Sequence, residues 1–394
     1  LTKRIASLSA WIGALCALCL SGVCLAQTIQ TAAPYAILVD YETGTVLFEK
    51  SSDSLMEPAS TAKIMTAELV FRELAAGRIK LDDTFPISEN AWRKGGGVAG
   101  GSSMFALVNS RVTVDDLLRG LIIDSGNDAA IALAEGVAGT EDAFATLMTR
   151  RADELGMTKS TFANPWGKSD PDQRVTARDM AHLAEYVIRQ YPQYYHYFGE
   201  KDFTWNKIHQ MNRNPLLTME LGADGLKTGD IKESGFGLVG SAVQNGQRLI
   251  LVLNGLKSAN ERAEEARRLL NWGFRSFERK TLFAESDIIG TAKVFGGASG
   301  EVGLVANKPI IMLMPRASGE KLTGKITYNG PLIAPVEQGA EVGTLRLYRG
   351  GAVVQETPLV TAAAVTTGTL TQRSLDAALE LGLDLFRQLV QKSK

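Results

Sequence analysis

Two apolar, β-branched runs open the pattern. Residues 36–40 (AILVD) and 45–49 (TVLFE) flank the turn Tyr41-Glu42-Thr43-Gly44, which predicts a β-hairpin. Residues 57–74 then place apolar side chains at helical spacing, with Pro58 near the start. Residues 114–138 and 141–155 also predict helices, and Thr176-Ala177-Arg178-Asp179 resembles a capping box opening another, to about Arg189. After Gly225 the period changes. Residues 235–243 and 248–253 are strand-like and flank the turn Gln244-Asn245-Gly246-Gln247, and residues 263–277 return to helical spacing. Strands thus lie at both ends of a segment with a helical middle. The simplest assembly joins them into one antiparallel sheet flanked by helices, an α/β (α+β) domain over residues 27–286.

From about residue 287 short β-rich runs alternate with Gly and Pro turns (KPIIMLMP, KITYNGPLIAPV, GTLRLYRGG, AVVQETPLV). They predict a small all-β domain over residues 287–361. Residues 362–374 are small and polar and predict a linker. In residues 375–394 the apolar positions 375, 378, 379, 382, 385, 386, 389 and 390 share one helical stripe. This amphipathic helix is expected to attach to a membrane surface, although Asp376, Glu380 and Asp384 make it less basic than a typical interfacial helix. Packing in a dimer is the other reading of the stripe.

The chain begins with a different pattern. Lys3 and Arg4 precede an uncharged, mostly apolar run over residues 5–23, which ends on Cys24-Leu25-Ala26 before Gln27. This predicts a signal peptide, residues 1–26, and work outside the cytoplasm. An uncleaved anchor and a lipidated Cys24 are the rival readings. The small residues ending the run disfavour the first, and the bulk of Val23 the second. All three cysteines, Cys16, Cys19 and Cys24, lie in this segment. The rest of the chain therefore offers no thiol nucleophile, zinc-thiolate site or disulfide. With 42 basic and 43 acidic side chains there is no basic footprint for nucleic acid. Loss of Lys3 and Arg4 would make the chain more acidic.

Ser60-Thr61-Ala62-Lys63 stands in the first turns of the helix predicted over 57–74. A separation of three puts Ser60 and Lys63 on one face. A serine hydroxyl is a weak nucleophile until a base takes its proton, and a lysine can be that base only if burial or a nearby cation lowers its pKa. Alone, such a tetrapeptide arises easily by chance, as a helix cap with a surface lysine. Two further elements change this. Ser125-Gly126-Asn127 interrupts an apolar helical region, and Lys227-Thr228-Gly229 precedes a strand-like stretch. A strand edge carrying Lys and Thr can hold a carboxylate by charge and hydroxyl while its backbone pairs with an extended peptide. The three elements occur in the order S-x-x-K, S-G-N, K-T-G, which matches the penicillin-recognising serine enzymes.

The sequence resembles the D-alanyl-D-alanine carboxypeptidases, the low-molecular-mass penicillin-binding proteins. The likeness spans roughly residues 34–361 and includes PASTAK, GSSMF, GLIIDSGNDAAIALAE, ARDMAHLA, QMNRNPLL, ADGLKTG and RRLLNWGF. It implies a serine transpeptidase-like domain, a small β domain and a terminal membrane helix. It also implies that Ser60 is acylated, that Lys63 is its base, and that Ser125 relays a proton to the leaving D-alanine. Asn127 would contact the substrate amide, Lys227 would bind substrate and support the electrostatics of Ser125, and Thr228 would hold the terminal carboxylate. The backbone N–H groups of Ser60 and Asp230, beside Gly229, would form the oxyanion hole. Arg213 and Arg262 match family arginines near the carboxylate, with surface salt bridges as their bland reading. The implied ligands are peptidoglycan stem peptides ending in D-Ala-D-Ala and β-lactams, and the implied location is the periplasmic face of the inner membrane. No cofactor or metal is expected.

One position departs from the family pattern: Asp230 stands where a histidine often follows K-T-G. A carboxylate there would disfavour the substrate carboxylate or raise the pKa of Lys227. The three histidines, His182, His196 and His209, are expected to be structural, with His182 on an apolar helical face. The glycines at 95–97 and 100–101 lack the G-K-[ST] of a phosphate loop and predict a flexible loop beside the site. Trp205 and the tyrosines near 191–197 predict core or cleft wall. A class A β-lactamase is the nearest rival, but no E-x-x-L-N stretch lies between Ser125 and Lys227. A catalytically weak peptidoglycan-binding protein is the rival from another class, opposed by the intact Ser60/Lys63 pair.

Overall fold

A computed structural model describes residues 29–316, 322–349, 351–374 and 376–378. The expected signal peptide, and residues 375 and 379–394 of the expected terminal helix, lie outside the described residues.

The hairpin and the late strands meet as the hydrophobic pattern requires. Five strands form one sheet in the order Val46–Lys50, Tyr35–Asp40, Gln247–Leu256, Gly235–Gln244, Ala223–Ile231. Every neighbouring pair is antiparallel, with Leu38 opposite Leu251 and Lys227 opposite Val239. Alternation sorts the side chains. Ile37, Val39, Ile250 and Val252 enter the main core, where the helix Lys63–Ala75 is buried. Leu38 and Leu249 face the other way, toward the helix Ala259–Ser276. A Cβ on Gly273 of that helix would stand 2.7 Å from Leu249 and 2.9 Å from Leu38, so glycine sets how closely helix and sheet approach. Both faces are covered, which is why the run LILVLNGL is almost continuously apolar.

Aromatic side chains lock the helix Lys63–Ala75 in place. Phe71 is fully buried, with its ring centroid 5.3 Å from that of Tyr194, 6.0 Å from Tyr191 and 6.3 Å from Tyr197. The tyrosine-rich stretch is therefore core, as its composition suggested. The helix Asn127–Ala138 is buried along its first two turns, through Ala129, Ala130, Ile131, Ala132 and Leu133. Its small residues allow close packing.

Boundaries differ from the pattern in three informative places. The helix expected from residue 57 starts with a 3-10 turn, Ala59–Ala62, and becomes α-helical only at Lys63. The helical region 114–138 is two helices, Val114–Ile122 and Asn127–Ala138, because Ser125 adopts a left-handed φ of +56°. Lys227-Thr228-Gly229 lies inside the edge strand Ala223–Ile231 rather than before one. Two glycines and three charged residues (ADGLKTGD) masked that strand from a reading based on apolar alternation.

From Phe277 to Thr361 the regular elements are strands, and residues 370–374 and 376–378 are helical, so helix begins inside the stretch expected to be a linker. Phe277–Phe283 pairs with Ile310–Pro315, and six further strands form a second sheet around their own core, which includes Val302, Leu304, Leu345 and Leu359. The small-residue stretch after Thr361 is tied to this sheet: Val336 and Val365 exchange backbone hydrogen bonds, and Gly368 N donates to Gly296 O.

Candidate active site

Ser60 sits half-buried in the tight turn Ala59–Ala62. Thr61 closes the turn by donating from both its N–H and its hydroxyl to Pro58 O, at 3.2 and 2.6 Å. The preceding Ala59 is in the left-handed region at φ +49°, an uncommon state for alanine. Two glycines lie against this turn. A Cβ on Gly167, itself at φ +88°, would stand 1.9 Å from Ala59 O. A Cβ on Gly229 would come to 3.0 Å from Pro58 O, Ser60 N and Thr61 N. The K-T-G strand therefore runs in contact with the nucleophile turn, and its glycine is what permits the approach.

Lys63 is the convergence point. Its side chain is fully buried, and Nζ donates to Ser60 Oγ at 3.0 Å, Asn127 Oδ1 at 2.7 Å and Trp166 O at 2.9 Å. The expected one-turn spacing thus becomes a direct serine–lysine contact. Burial pushes the Lys63 amine well below the ordinary lysine range, and the nearby Lys227 and Arg213 charges push the same way; Asp128 and Asp230 oppose them. A neutral amine at this distance can accept the serine proton.

The S-G-N turn is held from several sides. Gly126 N donates to Gly120 O at 2.8 Å and Asn127 N to Ser102 O at 2.9 Å. Asp128 accepts from Ser103 Oγ at 2.8 Å, Met104 N at 2.9 Å and Ala106 N at 3.1 Å, which binds the glycine-rich loop to the turn. That loop lies beside the site as expected: a Cβ on Gly101 would be 3.1 Å from Asn127 Nδ2. Ser125 is 2% exposed.

On the edge strand, Lys227 and Thr228 are buried and Asp230 is exposed. Lys227 Nζ donates to Thr228 O at 3.2 Å. Burial, then Arg213 and Arg262, bring the Lys227 pKa down to about 7, while Asp230 and Asp124 work upward. Arg213 is exposed and donates to Ser102 Oγ. Arg262 is buried with its guanidinium 5.7 Å from the Phe236 ring centroid, and its Nε and Nη1 have no hydrogen-bond partner among the described residues. The salt-bridge reading of these two arginines fails, since neither forms an ion pair among the described residues; both instead act on the field at Lys227.

Some residues of the site were not legible beforehand. Trp166 supplies a carbonyl to Lys63, and Asn164 shapes its turn by accepting from Gly167 N and Lys168 N, both at 2.9 Å. Thr66 ties the same turn to the nucleophile helix through Pro165 O at 2.6 Å. The polar N-P-W-G cluster was the available signal. Asp124 and Asp128, beside Ser125 and Asn127, were also passed over. His182 corrects an expectation: it is exposed, with Nε2 2.9 Å from Leu155 O, rather than on an apolar face. His196 and His209 are exposed as well and pair with Glu200 and Thr204.

An antiparallel sheet with a serine and a buried lysine in contact at its edge, faced by S-G-N and K-T-G elements, defines the penicillin-recognising serine enzymes. Residues 23–258 match the family described as D-alanyl-D-alanine carboxypeptidase, and residues 277–367 match the penicillin-binding protein 5 C-terminal domain. The chain belongs to the D-alanyl-D-alanine carboxypeptidase family and is a serine-type peptidase. It is 41% identical over 348 residues to D-alanyl-D-alanine carboxypeptidase DacC of Escherichia coli, covering 87% of each chain. Among solved structures it resembles penicillin-binding protein 5 from Haemophilus influenzae, with TM-score 0.77, 34% identity, and 86% and 98% of the two chains covered. It also resembles the ampicillin-bound form of penicillin-binding protein D2 from Listeria monocytogenes, with TM-score 0.54, 26% identity, and 62% and 98% covered.

The contact at Gly167 leads to a paired test. Gly167→Ala places a Cβ 1.9 Å from a backbone oxygen, whereas Gly139→Ala has the same sign of φ (+83°) and nothing within 4 Å. In urea unfolding Gly139→Ala should cost about 1–2 kcal/mol, the left-handed penalty alone. Gly167→Ala should cost clearly more; equal losses would mean that the Ala59 turn yields freely.

Proposed function

We propose that the protein removes the C-terminal D-alanine from peptidoglycan stem peptides ending in D-Ala-D-Ala, through an acyl-enzyme on Ser60. The observation that carries this is the buried Lys63 amine, 3.0 Å from Ser60 Oγ and held well below ordinary lysine basicity. Neutral Lys63 takes the Ser60 proton as Oγ bonds to the carbonyl carbon between the two D-alanines. Negative charge then collects on the carbonyl oxygen, toward the backbone N–H groups of Ser60 and Asp230. Ser125 passes its proton to the leaving nitrogen and regains one from Lys63. The C–N bond breaks and D-alanine departs. Water then attacks the ester carbon, its proton moves to Lys63, and the released Oγ is reprotonated.

Lys227 and Thr228 bind the terminal carboxylate by charge and hydroxyl. Asn127 accepts from Lys63 through Oδ1, which leaves its NH₂ to donate to the substrate amide. Arg213 and Arg262 add positive potential at the carboxylate end. A β-lactam acylates the same serine, but its leaving nitrogen stays tethered, so the adduct persists. The ampicillin-bound relative supports this part of the reading.

The same proposal places the enzyme on the periplasmic face of the inner membrane, after export through residues 1–26. Residues 375–394 would lie in the interface, with their apolar stripe inward. No helix among the described residues is long and apolar enough to cross a membrane.

Mass spectrometry of a pentapeptide ending in D-Ala-D-Ala tests the central step. Wild type should release one D-alanine and Ser60→Ala none. Labelled penicillin should stay bound to wild type, whereas its rapid release as hydrolysed product would favour the β-lactamase reading. Asp230→His removes an acid that supports the charge of Lys227. The alkaline limb of kcat/KM, set by Lys227 losing its proton near pH 7, should then move to lower pH by about half a unit. Superimposable profiles would reject that role for Asp230. Truncation at Thr371 should move the protein from the membrane to the soluble fraction; unchanged membrane recovery would refute the attachment.

A further inference from the structure

A cavity of about 960 Å³ opens where the turn at residues 41–45 meets the β-rich part of the chain. It lies apart from the serine site. The turn joins the strands Tyr35–Asp40 and Val46–Lys50 at one edge of the five-stranded sheet, and the strand carrying Lys227 is the opposite edge. Four inter-strand steps separate those edges, roughly 19 Å at the usual spacing of about 4.8 Å. The turn itself is firmly held. Asp40 is 0% exposed, and its Oδ1 accepts from Thr43 N at 3.0 Å and Thr43 Oγ1 at 2.8 Å.

The charge of this cavity departs from that of the chain. The sequence as a whole is nearly balanced, whereas Arg189, Arg279, Lys308 and Arg349 line the cavity against one acid, Glu42. These cations come from separate elements: the helix Ala177–Gln190, the strand Phe277–Phe283, the turn before Ile310–Pro315 and the end of Glu341–Arg349. Neutral groups position three of them. Arg189 Nη2 donates to Tyr41 O at 3.3 Å, with its guanidinium 5.1 Å from the Tyr41 ring centroid. Arg279 Nη1 donates to Gly246 O at 2.8 Å and Arg349 Nη2 to Leu313 O at 3.2 Å. A carbonyl or a ring orients a guanidinium without cancelling its charge. Glu185 partly offsets Arg189 at 2.8 Å, but Glu278, the acid next to Arg279, pairs with Arg316 instead. The remaining wall is a strand. Ile311, Met312 and Leu313 line the cavity, and their strand Ile310–Pro315 pairs only with Phe277–Phe283 among the described residues. The second edge of such a strand can pair with the main chain of an extended peptide. Separate cations beside a strand edge suit carboxylates spaced along a peptide, whereas a free phosphate is held by donors that converge on one point.

We propose that this cavity binds a peptidoglycan stem peptide through its carboxylates, separately from the stem being cleaved at Ser60. Only the source of the peptide rests on the carboxypeptidase reading above. A stem peptide ends in a carboxylate before and after D-alanine is removed, so an uncleaved neighbour and a finished product both qualify. Arg279 and Lys308 pair with its carboxylates, and the strand Ile310–Pro315 meets the backbone between them. The second attachment holds the enzyme on the wall and raises the effective concentration of further stems at the serine site.

The probe is the tetrapeptide L-Ala-γ-D-Glu-L-Lys-D-Ala, which carries two carboxylates and lacks a D-Ala-D-Ala end. Its binding to the full chain is measured by titration calorimetry after incubation with penicillin, so that Ser60 is closed. Wild type should bind it, more weakly as salt is raised. Lys308 is exposed, so Lys308→Glu leaves the fold intact; it should weaken binding about tenfold, and Arg279→Gln about fivefold. Release of D-alanine from a soluble pentapeptide should be unchanged in both variants. Equal affinity of wild type and Lys308→Glu overturns the proposal, as does equally tight binding of the tetrapeptide with both carboxylates amidated. Displacement of the peptide by an equal concentration of inorganic phosphate overturns it too, since the cavity would then be a small-anion site. If wild type releases no D-alanine while Lys308→Glu still weakens tetrapeptide binding, the carboxypeptidase reading falls and the peptide site stands.

Discussion

Burial of a single amine organises this molecule. Lys63 Nζ meets a serine hydroxyl from its own helix turn, an amide oxygen from the S-G-N turn and a carbonyl from the Trp166 turn. A fully buried ammonium is unstable unless its donors are satisfied, and a neutral amine is stable there only because the surroundings disfavour charge. The three partners answer the first demand, and burial with neighbouring cations answers the second. Segments separated by 64 and 103 positions must therefore be held to hydrogen-bond tolerance around one atom.

Glycine and short polar clamps supply that tolerance. Gly229 lets the edge strand run against the Ser60 turn, and Gly167 lets the Trp166 turn approach from the other side. A Cβ on Gly95 would lie 2.3 Å from Asp128 N, so the glycine-rich loop meets the S-G-N turn by the same device. Asp128 and Asn164 then convert loops into fixed surfaces by accepting several backbone N–H groups each. The aromatic packing around Phe71 anchors the nucleophile helix on its far side.

The electrostatics follow from the same crowding. Two lysines and two arginines act on one another at the cleft, and three acids act on those lysines. Among the described residues only Asp128 of these acids is buried and well supplied with donors; Asp230 is exposed and Asp124 lacks hydrogen-bond partners there. The cleft can therefore disfavour the charge of Lys63 while it holds Lys227 near its titration point. The two lysines differ by environment, since the residue type is the same.

Much of this was legible along the chain. Alternation and helical spacing located the hairpins, the nucleophile helix and the β-rich C-terminal part, because period and turn chemistry are local properties. The order of S-x-x-K, S-G-N and K-T-G identified the family, because each element is a contiguous string. The edge strand was hidden by its glycines and charges, and the left-handed Ser125 split what looked like one helix. Only the tertiary structure decided that Lys63 is buried, and that among the described residues Arg262 has no ion pair and Asp124 no donor while Asp128 has several. Sequence determines which groups are available and how neighbours along the chain are spaced. Burial, partner distance and local field depend on residues brought together from distant positions, and it is these that set whether a lysine is a base or a cation.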